Sequence, residues 1–166
     1  MPENEIKKTK LGLVVGRFQP LHDGHRYLIR MAIEENDIVV ICIGSSQKAD
    51  PLPVCERLRR VNEFLGSADR KNKEIKVIYL PDIESDERWP LYLKNGAGIT
   101  DETKNIFYTG DDLDESYISS MEKIGFEIRT VERNIFEYTA PDGRIHALTC
   151  ATEIRKIHRD LRVEVV

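Results

Sequence analysis

Short apolar segments alternate with amphipathic or polar ones along nearly all of the 166-residue chain. Five apolar segments have the length and the β-branched content of strands buried in a sheet. They are residues 11–16, 37–44, 74–81, 104–110 and 126–132. The alternation predicts an α/β fold, a doubly wound parallel sheet of about five strands with helices on both faces.

Three segments space their apolar residues as amphipathic helices do. Residues 24–35 form the first, a second follows residue 53, and residues 152–162 form the last. The second helix presents one apolar face made of Val54, Leu58, Val61 and Leu65, and the last presents Ile154, Ile157 and Leu161. Residues 133–148 contain the turn signal "APDGR" but no clear period, so we predict a turn there without assigning flanking elements.

Composition bounds the class of protein. The length suits one domain, predicted over residues 1–166 with residues 1–10 as a flexible arm. A net charge of −4 does not favour non-specific binding to nucleic acid. No apolar run approaches the roughly 18–20 residues that span a bilayer, and the polar N-terminus lacks the apolar core of a secretory signal. The three cysteines are Cys42, Cys55 and Cys150. Their irregular spacing favours reduced thiols and a cytoplasmic location.

Polar and glycine-containing motifs follow four of the predicted strands. They occupy residues 16–25, 44–57, 82–89 and 109–112, and a fifth, residues 149–155, opens the last helix. In open parallel sheets, ligands bind beyond the carboxyl ends of the strands. The sequence therefore predicts a binding site at that edge of the sheet.

The stretch "VGRFQPLHDGHRYLI" places His22 and His25 where the first strand gives way to a helix. Two histidines three residues apart could serve a metal, but no third ligand stands at a recognisable spacing. They could also be solvated or core histidines without a chemical role. A helix N-terminus attracts anions through its unpaired N–H groups and its dipole. Histidines beside Arg17 at such a terminus are best interpreted as phosphate donors.

The order G-R-F-Q-P-x-H-x-G-H before a helix resembles the HxGH nucleotidyltransferase superfamily. The whole segment "GRFQPLHDGH" is similar to the archaeal type of nicotinamide-mononucleotide (NMN) adenylyltransferases. Further motifs resemble that family in the expected order over residues 11–160: "ICIGSSQ", "DPLPVCER", "DIESDERW", "YTGDD" and "CATEIR". The resemblance implies a Rossmann-like sheet.

The resemblance also implies a reaction. AMP would pass from ATP to NMN by direct in-line attack of the NMN phosphate on the α-phosphate, giving NAD and pyrophosphate. Magnesium would be carried by the ATP phosphates, with no protein metal site. The expected partners are ATP and NMN, or NAD, without nucleic acid or membrane. The family suggests a homo-oligomer, with a hexamer as one form.

The resemblance assigns site residues in three groups. The catalytic group comprises His22, His25, Arg17 and Arg155. The ATP-binding group comprises Gly16, Phe18, Gly24, Gly110, Asp111 and Thr152. The NMN-binding group comprises Trp89, Gly44, Ser45, Gln47, Ile83 and Asp86. Trp89 is the only tryptophan, and a core-packing role is the alternative to stacking on nicotinamide. Glu56 and Arg57 also suit a solvated helix pair, an interpretation that we favour for Glu56.

Four positions depart from the family pattern: Ala49, Pro53, Asp86 and Cys150. They leave the acceptor open between NMN, nicotinic acid mononucleotide and another mononucleotide. The alternatives are therefore a related HxGH nucleotidyltransferase with another acceptor or with CTP, a catalytically weak protein that senses NAD or ATP, and a zinc-binding module. The motifs G-T-F-D and R-T-x-G-I-S-T-T, usual in cytidylyltransferases, are absent.

Overall fold

The computed structural model describes residues 7–45, 52–110, 113–131, 136–148 and 151–162. The strands are β1 (Lys10–Gly16), β2 (Ile38–Ser45), β3 (Glu74–Pro81), β4 (Lys104–Gly110), β5 (Phe126–Val131), β6 (Phe136–Thr139) and β7 (Ile145–Leu148). The helices are α1 (Asp23–Glu35), α2 (Val54–Phe64), α3 (Ser67–Asn72), α4 (Trp89–Gly96), α5 (Glu115–Lys123) and α6 (Ala151–Asp160).

Strands β1 to β5 form one parallel sheet in the order β3-β2-β1-β4-β5. Val14 of β1 lies between Ile41 of β2 and Tyr108 of β4 in this register. The order reverses direction between β1 and β4, which is the point where doubly wound sheets bind ligands. The predicted five-stranded parallel α/β fold is confirmed.

Apolar side chains cover both faces of the sheet. Helices α1 and α2 supply Ile29, Ala32 and Val61 to one cluster, which packs on Val14 and Ile41 among others. Helices α4 and α5 supply Leu93 and Met121 to a second cluster on the opposite face. Alternate residues of each strand point to opposite faces, so both clusters draw on the same strands.

Three helices lie in segments where the sequence led us to predict none. Helices α3, α4 and α5 have 6, 8 and 9 residues, so each spans too few turns to display a clear apolar period. Within the described residues, no helix has both the length and the apolar content needed to cross a membrane. The single-domain boundaries stay a prediction.

The segment left unassigned in the sequence contains a β-hairpin. Strands β6 and β7 pair antiparallel around the predicted turn. Leu148 and Ile154 join Tyr138 and Ile157 in a third, small apolar cluster, which holds the hairpin against α6. The Tyr138 hydroxyl and Nε2 of His158 share a hydrogen bond across this contact.

Tyr108 is buried and Tyr117 is half-buried, and the hydroxyl of each meets another polar group. Tyr108 donates to a Glu35 carboxylate oxygen at 2.7 Å and accepts from Nδ2 of Asn36 at 2.8 Å. Burial, followed by the hydrogen bond to Glu35, raises the pKa of Tyr108 to about 12. Burial likewise raises the pKa of Tyr117 to about 12.

These shifts predict how stability depends on alkaline pH. A phenol in the unfolded chain ionises near pH 10, whereas the folded protein resists ionising Tyr108 and Tyr117. Their contribution is therefore complete below about pH 10 and is lost as the pH rises toward about 12. We expect phenolate absorbance to show late-titrating tyrosines, and Tyr108→Phe and Tyr117→Phe each to remove one. Titration of all six tyrosines together near pH 10 would contradict this.

Candidate functional site

The carboxyl ends of the parallel strands share one edge of the sheet. Gly16, Gly44 and Gly110 stand at the ends of β1, β2 and β4. The motif at residues 82–89 follows β3 at the same edge. The structure thus places the described parts of the four post-strand motifs where the sequence predicts them.

Two histidines cap the helix that follows β1. His22 is the N-cap of α1, and its Nδ1 accepts the Gly24 amide proton at 3.0 Å. Nδ1 of His25 accepts from the His22 amide at 3.4 Å, which completes a capping box. The rings stack with centroids 3.7 Å apart. A neutral imidazole that accepts at Nδ1 carries its proton on Nε2, so this geometry makes both Nε2 atoms N–H donors.

The loop between β1 and α1 is tightly packed. Phe18 is buried with a left-handed φ of 52°, and its ring meets the His25 ring edge-on at 4.8 Å. A Cβ on Gly16 would lie 3.0 Å from the Phe18 ring, and a Cβ on Gly24 would lie 2.8 Å from Cε1 of His22. Glycine at these two positions therefore permits the approach of the rings.

Arg17 connects the end of β1 to the segment after β3. Its guanidinium donates to an Asp82 carboxylate oxygen at 3.2 Å. A Cβ on Gly44 would lie 3.4 Å from the other Asp82 oxygen, so the ends of three strands meet here. Asp82 was missing from the predicted site residues. Its position as the first residue of the 82–89 motif was the signal that could have identified it.

The last helix reaches the same loop. Nη1 of Arg155 donates to the Gln19 carbonyl at 2.5 Å, across 136 positions of sequence. Thr152 lies in the first turn of α6. The side chains of Thr152 and Ser45 fall outside what the structure describes, as do the predicted residues Gln47 and Asp111.

Trp89 is the first residue of α4 and is half-buried. Its Nε1 donates to the Tyr117 hydroxyl at 2.7 Å, and its ring packs against the second apolar cluster. Part of the indole therefore packs against the protein core. This contact agrees in part with the core-packing alternative. Ile83 is half-buried and Asp86 is exposed in the turn before α4. The sequence contained no signal for the Tyr117 contact.

The neighbouring residues Glu56 and Arg57 have different environments. Glu56 accepts from Arg59 and Arg60 on the surface of α2, and these bonds lower its pKa to about 2. These surface ion pairs agree with the interpretation of Glu56 as a solvent-facing residue of the helix. Arg57 instead is fully buried. Its place on the α2 face that carries Val61, four residues later, was the sequence signal for burial.

Within the described ranges, no group of three or more His, Cys, Asp or Glu side chains is arranged to hold a metal ion. The zinc alternative therefore has no ligand set among these residues. A depression of about 930 Å³ lies at the opposite, amino-terminal edge of β1 and β4. It is lined in part by Lys7, Lys8, Lys10 and Lys104, and it includes none of the predicted site residues.

Comparison with known proteins supports the resemblance. The cytidylyltransferase-like family matches residues 13–156 of the chain. The chain is 33% identical over 109 residues to the nicotinamide-nucleotide adenylyltransferase of Thermococcus kodakarensis, covering 63% of this chain and 56% of that relative. It is 31% identical over 125 residues to that of Pyrobaculum neutrophilum, covering 72% and 66%. The chain thus spans about half to two thirds of the length of these curated relatives.

A solved structure shares the fold. It is a bifunctional NMN adenylyltransferase/ADP ribose pyrophosphatase from Francisella tularensis, complexed with AMP and a manganese ion, with a TM-score of 0.65 and 20% identity. The match covers 92% of this chain and 42% of that chain. By the family match over residues 13–156 and these relatives, the chain belongs to the cytidylyltransferase-like family and resembles its archaeal nicotinamide-nucleotide adenylyltransferases.

Proposed function

We propose that this chain transfers AMP from ATP to NMN, forming NAD and pyrophosphate. The observation that carries the proposal is the pair of stacked histidines at the start of α1, both with Nδ1 occupied as an acceptor. This arrangement adds two Nε2 donors to a helix N-terminus, beside the Arg17 guanidinium. The names of the archaeal relatives supply the acceptor, a nicotinamide nucleotide, and the adenylyl group that is transferred.

The proposed chemistry needs charge stabilisation more than proton transfer. An NMN phosphate oxygen, already an anion, forms a bond to the α-phosphorus as the bond to the bridging oxygen breaks. Pyrophosphate leaves with that electron pair and requires no proton. Catalysis then depends on in-line positioning and on donors aimed at the developing negative charge.

Each part of the loop has a role in this proposal. His22 and His25 donate from Nε2 to the α-phosphate, and Arg17 meets the phosphates from the strand side. Arg155 serves the β- and γ-phosphates, assisted by the first turn of α6, which includes Thr152. The Gln19 carbonyl already holds the Arg155 guanidinium beside the loop, which supports a shared phosphate site. Adenosine is assigned to Gly110 and Asp111.

Magnesium enters as the complex with ATP in this proposal. The manganese ion in the Francisella tularensis structure is consistent with use of a divalent cation by a protein of the same fold. Magnesium prefers phosphate oxygens and water and retains much of its hydration, so it needs few protein ligands. Its role is to neutralise charge on the triphosphate.

The acceptor side is assigned to the segments after β2 and β3. Trp89 would stack on the nicotinamide ring, a flat cation that favours an aromatic face. The hydrogen bond from Nε1 to Tyr117 fixes the indole plane and so supports this role. Gly44, Ser45, Gln47, Ile83 and Asp86 complete the proposed NMN group. The homo-oligomer stays a prediction.

Product formation tests the function directly. Purified protein with ATP, magnesium and NMN should produce NAD, measured by a coupled dehydrogenase, together with pyrophosphate. Parallel reactions with nicotinic acid mononucleotide and with CTP in place of ATP test the alternatives. No product at high protein concentration, with ATP binding established by calorimetry, would favour a sensor or a different acceptor.

A further inference from the structure

Arg57 is a charged side chain with none of its surface exposed. Burying a guanidinium is costly unless hydrogen bonds replace its hydration. The residue lies in the first turn of α2, whereas Val61, one turn later, is buried in the apolar cluster under that helix. A buried arginine at this position requires a specific set of partners.

Within the described part of the chain, the hydrogen-bond partners of Arg57 include backbone carbonyls from three separate segments. Nη1 donates to the carbonyl of Arg17 at 3.0 Å and to that of Gly44 at 2.8 Å. Nε donates to the carbonyl of Leu52 at 3.1 Å. One guanidinium thus connects the residue after β1, the end of β2 and the residues before α2.

We propose that Arg57 is a positioning residue that sets the phosphate-handling loop, an inference that rests on the proposed AMP transfer. Its planar guanidinium presents N–H groups in a rigid fork, which a flexible lysine cannot reproduce. By holding the Arg17 carbonyl against the end of β2, it fixes the point where the chain leaves the sheet.

Two ring contacts connect the Arg17 backbone, which Arg57 holds, to the two histidines. Phe18, which follows Arg17, is held at a φ of 52°, a left-handed conformation that is unfavourable for a residue other than glycine. Its ring packs edge-on against His25, which stacks on His22. A shift of the Arg17 backbone therefore moves the Phe18 ring and, with it, the proposed phosphate donors.

Two substitutions at Arg57 and one control test this role. Arg57→Met removes the donors while keeping a long side chain, and Arg57→Lys keeps the charge but not the fork. Val61→Ala, on the same buried face of α2, lowers stability but removes no hydrogen-bond donor from the loop. We expect kcat for NAD formation to fall about 100-fold in Arg57→Met and roughly 10-fold in Arg57→Lys. We expect KM for ATP to change much less, and Val61→Ala to keep the wild-type kcat.

A spectroscopic readout separates this inference from the proposed activity. Imidazole NMR signals of His22 and His25 should move in both Arg57 variants, whereas His146, in β7, serves as the internal reference. These signals test the loop geometry even if the wild-type protein forms no NAD. Unchanged signals and a kcat equal to that of Val61→Ala in a folded Arg57→Met protein would overturn the proposal. Failure of both Arg57 variants to fold would assign the residue to folding alone and overturn it as well.

Discussion

Replacement of His22 or His25 by alanine is expected to lower kcat for NAD formation by about 10²–10³-fold. Each change removes one Nε2 donor that the proposed mechanism aims at the charge developing on the α-phosphate. The rings do not belong to the apolar clusters that flank the sheet, so folding should persist. Steady-state kinetics, with circular dichroism to monitor folding, measures both effects.

The capping role of the histidines requires matched variants. Alanine at position 22 also removes the N-cap acceptor, which costs about 1 kcal/mol of stability. His22→Asn retains an acceptor for the Gly24 amide, and His25→Gln retains the reciprocal bond of a capping box, yet neither supplies an imidazole N–H. Activity should be lost in both while the melting temperature stays close to that of the wild type. Wild-type kcat in His22→Asn, or stoichiometric zinc that His25→Ala loses, would contradict the phosphate role.

Trp89→Ala is expected to weaken NMN binding by about 1–3 kcal/mol, by analogy with aromatic stacking on nucleobases. ATP affinity should change little, because adenosine is assigned to the segment after β4. The emission of Trp89 should respond to NMN in the wild-type protein, and its origin is unambiguous because it is the sole tryptophan. Titrations of the two ligands, by fluorescence for the wild type and calorimetry for the variants, measure the difference.

Two further substitutions separate stacking from packing. Trp89→Phe keeps an aromatic face, so it should retain part of the NMN affinity. Tyr117→Phe removes the hydroxyl that accepts from Nε1 but leaves both rings in place. If Trp89 only packs in the core, Trp89→Ala should destabilise the fold by roughly 3–5 kcal/mol and weaken ATP and NMN together. Unchanged NMN affinity in a stably folded Trp89→Ala protein would exclude stacking.

Local patterns in the sequence were sufficient for the sheet and for the start of the site. The apolar segments identify β1 to β5, and their alternation with helices predicts a parallel order without any knowledge of contacts. His22 and His25 were located because the end of the first strand, the motif around the histidines and the start of the helix lie within a few consecutive residues. These features depend on residues that are close together in the chain, so they can be recognised from the sequence alone.

Some elements were missed because their local signal is weak. Helices α3 to α5 are short, and the hairpin of β6 and β7 is stabilised by α6 rather than by its own period. A two-stranded hairpin is only marginally stable alone, so its formation depends on a helix that follows it in the chain.

Only the tertiary structure decided which side chains meet. Arg17 pairs with Asp82 across 65 positions, and Arg155 reaches Gln19 across 136. The position of Arg57 on the buried face of α2 is visible in the sequence, but its partners, the carbonyls of Arg17 and Gly44 at the ends of β1 and β2, are not. The sequence by itself determined the fold class and the residues that open α1, because periodicity and capping act over a few neighbours. The partners of Arg17, Arg57, Trp89 and Arg155 depend on crossovers that bring distant segments to one edge of the sheet, and no local pattern records those distances.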